Sequence, residues 1–437
     1  MLSAKQLLKS PLLKSTMIYT MGDSIGKAIP FILLPIVAKY LSPADFGVFT
    51  NFGVAVQIFT AICALNTYSM LSVSYYSIDP GGLRDYLSNL IYLIVALGAF
   101  TCLMILLFDG FVERYLGISA MWQYLAVLSS VAASIFMLYT SLLRMQNRIY
   151  LFNAVQILQS LVTAVLAIAF VVVLRWSWQG RAISMVAAAV VSMMLSLWLM
   201  GRSRYLFGKV DAGEIKRAFH FGLPLLPHTL SFWFKSGMDK IIISNCVNIA
   251  ANGVYSVAFN LGGIIGVFTG SFFNAYAPLM YKDLSLVDTL PEDEAMVIKK
   301  KLVKITYLFA ALLLGMCVGS YFIMVFIIPL FFSGDYLGAI QYMPLLMTTL
   351  YFQGMYSMVS GYIFYRKKTK ILGTITFLSS MLQICLTYLF VRSFGSLGAV
   401  YSSSLVSLIT FLAVLFYADS LYRLPWNFRA RSVVAIV

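Results

Sequence analysis

The sequence predicts an all-α polytopic membrane protein with about 12 transmembrane helices in two pseudo-symmetric six-helix lobes around a central cavity. Hydrophobic residues make up 61% of the 437 residues and charged residues only 11%, and long apolar runs recur from end to end. A soluble domain of average composition carries about 25% charged residues. The composition therefore excludes most soluble enzyme folds.

Each predicted helix is an apolar run that can cross a hydrocarbon layer about 30 Å thick, which requires about 20 helical residues. The runs lack the alternating polarity of β-barrel strands, so helices are the remaining way to cross. The first six predicted spans are residues 16–40, 47–76, 87–109, 121–143, 151–174 and 181–200. The second six are residues 222–246, 254–279, 305–332, 341–364, 371–391 and 398–419.

Lys and Arg are concentrated in the breaks on one side of these spans, which we call the basic side. The breaks on the other side, which we call the opposite side, carry only Lys39, Arg114, Arg175, Arg181 and Arg392. Basic loops remain on the cytoplasmic side of a membrane, so this bias predicts that both termini are cytoplasmic. It also explains the net charge of +15 without a nucleic-acid partner.

The chain divides into two halves of equal topology, predicted as residues 1–210 and 211–437. Ala44–Phe49 and Ala250–Tyr255 both fit the pattern A-x-x-G-V-aromatic, and each copy follows the first helix of its half. An even number of spans per half makes the two copies parallel, related by an axis along the membrane normal. The pattern therefore predicts an internal duplication.

Prolines interrupt the first helix of each half, at Pro30 and Pro35 and at Pro224 and Pro227. A proline leaves a backbone carbonyl free, which lipid does not satisfy but protein or a watery cavity does. We therefore expect helices 1 and 7 to line a cavity; the alternative is a structural kink packed against neighbouring helices.

Charged residues inside the spans are concentrated in the same two helices. Lys27 and Lys235 are predicted roughly 16–20 Å deep, near the midplane, where two ammonium groups suit a phosphate or diphosphate. The alternative is that Lys27 neutralises Asp23 and Lys235 neutralises Asp239. The candidates for coupling to H⁺ or Na⁺ are Asp23, His228 and Asp239, of which His228 and Asp239 share one face of helix 7 with Lys235.

Uncharged polar and aromatic side chains are also predicted within the spans. Trp233 could stack on a sugar ring or pack against lipid and protein. Asn66, Asn153 and Asn260 could bind sugar hydroxyls or join helices by hydrogen bonds. Lys240 is predicted to point away from the face that carries Lys235.

No catalytic motif accompanies these residues. The sequence contains two histidines, no Walker A pattern and no nucleophile-elbow pattern, so we expect neither an enzyme nor an ATP-driven pump. No metal site or cofactor is predicted apart from a coupling ion.

Helix 7 with Trp233 and Asp239, followed by Gly253–Ala258, resembles the polysaccharide-unit exporters. The Leu41–Gly47 turn is similar to the first external loop of the same family. The resemblance is closest to O-antigen flippases of the multidrug/oligosaccharidyl-lipid/polysaccharide exporter superfamily.

The resemblance implies a flippase that moves an undecaprenyl-diphosphate-linked oligosaccharide across the bacterial inner membrane by alternating access. It implies a role in O-antigen or other surface-polysaccharide synthesis, with a polysaccharide polymerase and chain-length proteins as partners. The family's cationic lumen corresponds to Lys27 and Lys235. The alternatives are a cation-coupled multidrug exporter of the same superfamily and a non-transporting scaffold of a polysaccharide-assembly complex.

Overall fold

A computed structural model of the protein describes residue 26, residues 28–79 and residues 81–426. These residues form helices joined by short turns, and no β-strand occurs among them. Nine helices in this part of the chain are long and apolar enough to cross a membrane. The all-α fold class predicted from the composition is confirmed.

The helices of the N-terminal half are α1 (Ala28–Ala38), α2 (Pro43–Ala64), α3 (Thr67–Ser74), α4 (Leu83–Leu116), α5 (Ala120–Met145), α6 (Ile149–Ala167) and α7 (Trp178–Arg202). The helices that follow are α8 (Ala212–Gly222), α9 (Leu226–Cys246), α10 (Ile249–Val287), α11 (Glu292–Phe331), α12 (Met343–Tyr365), α13 (Thr369–Phe394) and α14 (Leu397–Tyr422).

The predicted second span is two helices rather than one. Leu65 and Asn66 adopt left-handed backbone angles, with φ of 39° and 56°, and separate α2 from α3. Positive φ is strained for a branched residue such as leucine and is better tolerated by asparagine. The break therefore needs support from the surrounding structure.

The predicted interruption of helix 7 is present as a short turn, whereas α1 continues as one helix through Pro30 and Pro35. Asp211 caps α8 by accepting hydrogen bonds from the backbone N–H groups of Gly213 and Glu214, at 2.7 and 3.3 Å. A 3₁₀ turn over Leu223–Leu225 follows, and α9 begins at Leu226. This turn, which contains Pro224, thus divides the region into the short helix α8 and the longer helix α9.

The linker and α8 pack on the N-terminal half. Arg84 donates hydrogen bonds to the carbonyls of Leu206 and Phe207, and Asn89 donates one to the carbonyl of Lys209. Ala218 of α8 is buried in the same apolar cluster as residues of α4 and α5. This cluster fixes the start of α9 beside the N-terminal half.

The duplicated pattern begins α2 and α10 in the same way. The side chain of Ser42 accepts a hydrogen bond from the N–H of Asp45 at 3.1 Å, and Asn248 accepts one from Ala251 at 2.7 Å. Both caps stand five residues before the glycine of the pattern and bind the N–H three residues ahead. The two copies are thus equivalent in local structure as well as in sequence.

The two pattern glycines lie where α2 and α10 cross. A Cβ on Gly47 would overlap the carbonyl oxygen of Ile249, and a Cβ on Gly253 would overlap the carbonyl oxygen of Pro43. Pro43 and Ile249 are themselves equivalent positions in the two copies. The crossing is therefore reciprocal, and it requires glycine on both helices.

Two helices extend beyond the membrane on the basic side. α10 has 39 residues and α11 has 40, so each is about 60 Å long against a hydrocarbon layer of about 30 Å. Asp283 of α10 pairs with Lys301 of α11 at 2.7 Å, and Asp288 pairs with Arg366, beyond α12, at 2.8 Å. This projecting hairpin is therefore attached to the C-terminal half.

Candidate functional site

A cavity of about 230 Å³ lies between the N-terminal half and α9. Its walls come from α2, the α2–α3 break, α3, α5 and α9. The lining residues are Gln57, Thr60, Ala61, Ala64, Asn66, Tyr68, Met137, Thr229 and Trp233. We call it the α2–α9 cavity.

One face of α2 supplies much of the wall. Gln57, Thr60, Ala61 and Ala64 recur at spacings of three and four residues, which places them on one side of a helix. Gln57 is exposed, although α2 is apolar and long enough to cross a membrane. An exposed amide at this depth is typical of a helix that lines a watery space.

Asn66 joins the α2–α3 break to α9. Its amide nitrogen lies 3.1 Å from the hydroxyl oxygen of Thr229, and its amide oxygen lies 3.2 Å from the same hydroxyl. The carbonyl of Leu65 occupies the space that a side chain on Gly222 would need. These contacts supply the support that the strained break requires.

Trp233 lies at the cavity with its indole largely buried. It belongs to the apolar cluster of the N-terminal half, together with Phe52, Phe59 and Val186. A Cβ on Gly237 would come within 2.7 Å of the indole nitrogen, so the glycine one turn later makes room for the ring. Among the residues whose side chains the structure describes, none accepts a hydrogen bond from the buried Nε1–H donor.

A buried charged cluster lies further along α9. The carboxylate of Asp239 accepts hydrogen bonds from the Tyr255 hydroxyl and from the backbone N–H of Lys240. The Lys240 ammonium is 3.8 Å from the same carboxylate and 4.0 Å from the centre of the Phe259 ring. A buried carboxylate is thus balanced by an adjacent cation, an aromatic face and a phenol.

Lys240 was not a predicted site residue. Its position on the helical wheel is on a different face from Asp239, but adjacent residues can meet when the long lysine side chain folds back. The signal that could have identified it is the presence of opposite charges at consecutive positions of an apolar helix.

A hydrogen-bonded group of side chains closes the opposite side. The Asn51 amide donates to the carbonyl of Leu116 at 2.9 Å, and the Asn252 amide donates to Asn51 Oδ1 at 2.9 Å. Ser244 of α9 lies 3.2 Å from the Asn51 amide nitrogen, and the Tyr336 hydroxyl donates to the carbonyl of Leu41 at 3.0 Å. Together with the glycine crossing of α2 and α10, we call this group the opposite-side seal.

The predicted site residues are only partly brought together by the part of the chain that the structure describes. Asn66 and Trp233 line the α2–α9 cavity, and Asp239 lies in the charged cluster. Asn153 lies half-buried in α6, Asn260 lies exposed on α10, and neither lines that cavity.

The predicted ammonium pair and two of the coupling candidates are outside this description. Asp23 and Lys27 lie outside the described residues. His228 and Lys235 lie within α9, but their side chains are outside the description. The anion site at Lys27 and Lys235 therefore stays a prediction.

Known proteins resemble this chain in sequence. Residues 12–282 match the family described as "Polysaccharide biosynthesis protein". The Lsg locus protein 1 of Haemophilus influenzae is 22% identical over 421 residues, which cover 91% of this chain and 97% of that protein.

Two solved structures have the same fold. The lipid II flippase MurJ in an inward closed conformation gives a TM-score of 0.75 at 13% identity, covering 92% of this chain and 87% of that one. An inward-facing multidrug resistance MATE family transporter of the MOP superfamily gives 0.69 at 14% identity, covering 93% and 98%. The likeness confirms the two-lobed membrane fold predicted from the sequence.

The matched family region includes α1 to α9 and most of α10, and so it includes the duplicated pattern, the α2–α9 cavity and the charged cluster. It covers well over half of the chain. The resemblance found in the sequence is thereby confirmed, and the chain belongs to the polysaccharide biosynthesis protein family of membrane proteins.

Proposed function

We propose that the protein is a flippase that moves an undecaprenyl-diphosphate-linked oligosaccharide across the bacterial inner membrane. The substrate is the repeat unit of an O-antigen or of another surface polysaccharide. The family match supports the polysaccharide pathway, and the likeness in fold to a lipid flippase supports movement of a lipid-linked head group. The protein is a transporter in this proposal and not an enzyme.

The observation that carries the proposal is the α2–α9 cavity, which lies between two halves that are joined reciprocally at the opposite-side seal. The head group enters the space between the lobes, residues 1–210 and 211–437, while the polyprenyl tail stays in the bilayer. Separation of α2 from α10 at the opposite-side seal then opens the path outward. In each cycle the cavity is closed first on the opposite side and then on the basic side.

The orientation in this proposal follows the distribution of basic residues. The basic side, with both termini, faces the cytoplasm, where the lipid-linked unit is assembled. The opposite side faces outward, where a polysaccharide polymerase and chain-length proteins take the product. The seal observed between α2 and α10 then corresponds to a conformation closed to the outside.

Lys27 and Lys235 hold the diphosphate in this mechanism. Two ammonium groups near the midplane offset the cost of bringing a diphosphate into a region of low dielectric. Asp23, His228 and Asp239 are the proposed sites of H⁺ or Na⁺ coupling. Asp239 already has a phenol and an ammonium group as neighbours, so its protonation would weaken contacts of α9 with α10.

Reconstitution tests the proposed function. Purified full-length protein in liposomes should move fluorescent undecaprenyl-diphosphate-linked oligosaccharide from the inner to the outer leaflet, measured by accessibility to a membrane-impermeant reductant. Liposomes containing the Asn51→Cys, Asn252→Cys protein, oxidised to join the seal, serve as the matched control. Equal accessibility in protein-containing and empty liposomes would contradict the proposal and favour a scaffold.

The same liposomes also test the alternative function, which is multidrug export by a transporter of the same superfamily. An exporter of that kind should transport a cationic dye when an H⁺ or Na⁺ gradient is imposed, and it should leave the lipid-linked probe in place. Dye movement without lipid movement would replace the flippase with the exporter.

A further inference from the structure

The α2–α9 cavity has the wall chemistry of a carbohydrate site. Its polar groups are amides, hydroxyls and an indole, and no charged side chain occurs among the described lining residues. Neutral donors and acceptors beside an aromatic ring match a sugar, which has hydroxyls at its rim and C–H groups on its faces. A diphosphate would require cations instead.

Trp233 supplies an aromatic surface to the cavity wall. The indole nitrogen is buried against Gly237, so the part of the ring that borders the cavity is carbon. A carbon ring surface beside amides and hydroxyls suits the C–H groups of a sugar.

Size limits what the cavity can hold. Its volume of about 230 Å³ is below the range of about 300–1,000 Å³ that is usual for drug-sized ligands. One sugar ring is an appropriate occupant, and a complete oligosaccharide is not. The remaining sugars of the head group would have to lie outside it, in the space between the lobes.

Both halves of the chain contribute residues to the wall of the α2–α9 cavity. Gln57 and Thr60 come from α2, and Thr229 and Trp233 come from α9. A ring held between them contacts both sides of the interface at which the lobes must move. A sugar bound in the cavity therefore contacts both lobes before the lobes separate.

We propose that the α2–α9 cavity binds one uncharged sugar ring of the lipid-linked head group, with Trp233 providing an aromatic surface and Gln57 providing an amide. This inference rests on the proposed function. Asn66 and Thr229 have each other as partners and chiefly hold the two helices together. Recognition thus rests on Trp233 and Gln57, and the diphosphate is held elsewhere.

Binding of two kinds of probe tests the inference. The full-length protein in detergent is titrated with undecaprenyl diphosphate and with undecaprenyl diphosphate that carries N-acetylglucosamine or galactose. The wild type should bind at least one sugar-bearing probe more tightly than the sugar-free probe. Gln57→Ala removes one hydrogen bond to the sugar, and Trp233→Phe reduces the aromatic surface. Each change should weaken sugar-bearing binding by about 10-fold and leave sugar-free binding within about 2-fold.

Matched variants separate recognition from folding. Trp198→Phe changes an exposed tryptophan of α7 that does not line the cavity, so it should bind every probe like the wild type. Gln57 is exposed, so Gln57→Ala keeps the test valid if replacement of the buried Trp233 harms folding. Thermal unfolding of each variant identifies such damage.

Two results would overturn the inference: equal binding of the sugar-bearing and sugar-free probes by the wild type, or equal losses for both kinds of probe in Gln57→Ala. Failure of the proposed function gives a different result. In that case the wild type distinguishes the probes in detergent but moves none of them in liposomes.

Discussion

At the scale of a single residue, the hydroxyl of Tyr255 stabilises the buried carboxylate of Asp239. Tyr255→Phe removes one hydrogen bond to a charged acceptor and leaves the ring in place, at a cost of about 1–2 kcal/mol. We expect a lower temperature of thermal unfolding in detergent. Tyr76→Phe, at a largely exposed tyrosine, is the control and should unfold like the wild type. Equal unfolding temperatures for the two variants would show that the contact contributes nothing.

The proposed diphosphate ligands give a second prediction at this scale. Lys27→Ala and Lys235→Ala should each reduce transport of the lipid-linked oligosaccharide by at least about 10-fold, because an anion held by two ammonium groups loses one of them. Lys39→Ala, at an exposed lysine of the opposite side, should transport normally. Normal transport by a stable Lys27→Ala, Lys235→Ala double variant would remove both residues from the mechanism.

Single residues also show where sequence reasoning succeeds and where it fails. Asn66 was predicted as a polar group within a continuous span, because neither glycine nor proline marks the break there. Its left-handed backbone angle depends on contacts with Thr229 and Gly222, which lie far along the chain. Tertiary support of this kind leaves no local signal in the sequence.

At the scale of elements, the crossing of α2 and α10 depends on two glycines. Gly253→Val should push α10 away from the carbonyl of Pro43 and open the opposite side. A cysteine introduced at Asn51 should then react faster with a membrane-impermeant thiol reagent added outside, in a chain whose natural cysteines are replaced. Gly266→Val, on the same helix but with open space around it, is the control. Unchanged reactivity in Gly253→Val would mean that the crossing does not control access.

The helices themselves were predictable because apolar length determines where a chain can cross a membrane. The duplicated glycine pattern predicts an internal duplication, but it does not predict that its two glycines lie where α2 and α10 cross. By contrast, Gly262, Gly266 and Gly270 recur at four-residue spacing on α10, but among the described residues only a Cβ on Gly262 would meet neighbouring side chains. Regular spacing on a helix specifies a face, and the sequence alone does not identify what lies opposite that face.

At the scale of the whole molecule, alternating access requires the two halves to separate at the seal. Oxidation of an Asn51→Cys, Asn252→Cys protein without its natural cysteines should join α2 to α10 and stop transport, and reduction should restore it. A Ser72→Cys, Ser141→Cys protein joins α3 to α5 within one half, where the two hydroxyls are 2.9 Å apart. Oxidation of this control should leave transport unchanged. Undiminished transport by the joined Asn51, Asn252 variant would exclude the rocking mechanism.

The projecting α10–α11 hairpin converts a modest rotation into a long displacement. Its tip lies beyond the C-terminal end of α10, and the Asp288–Arg366 pair joins it to the end of α12. Spin labels at Val287 and at Arg202 of α7 should therefore show a large change in separation when substrate is added, even if the helices around the cavity shift only slightly. A soluble antibody fragment bound to this tip would slow the transport cycle without contacting the sugar, the diphosphate or the lipid.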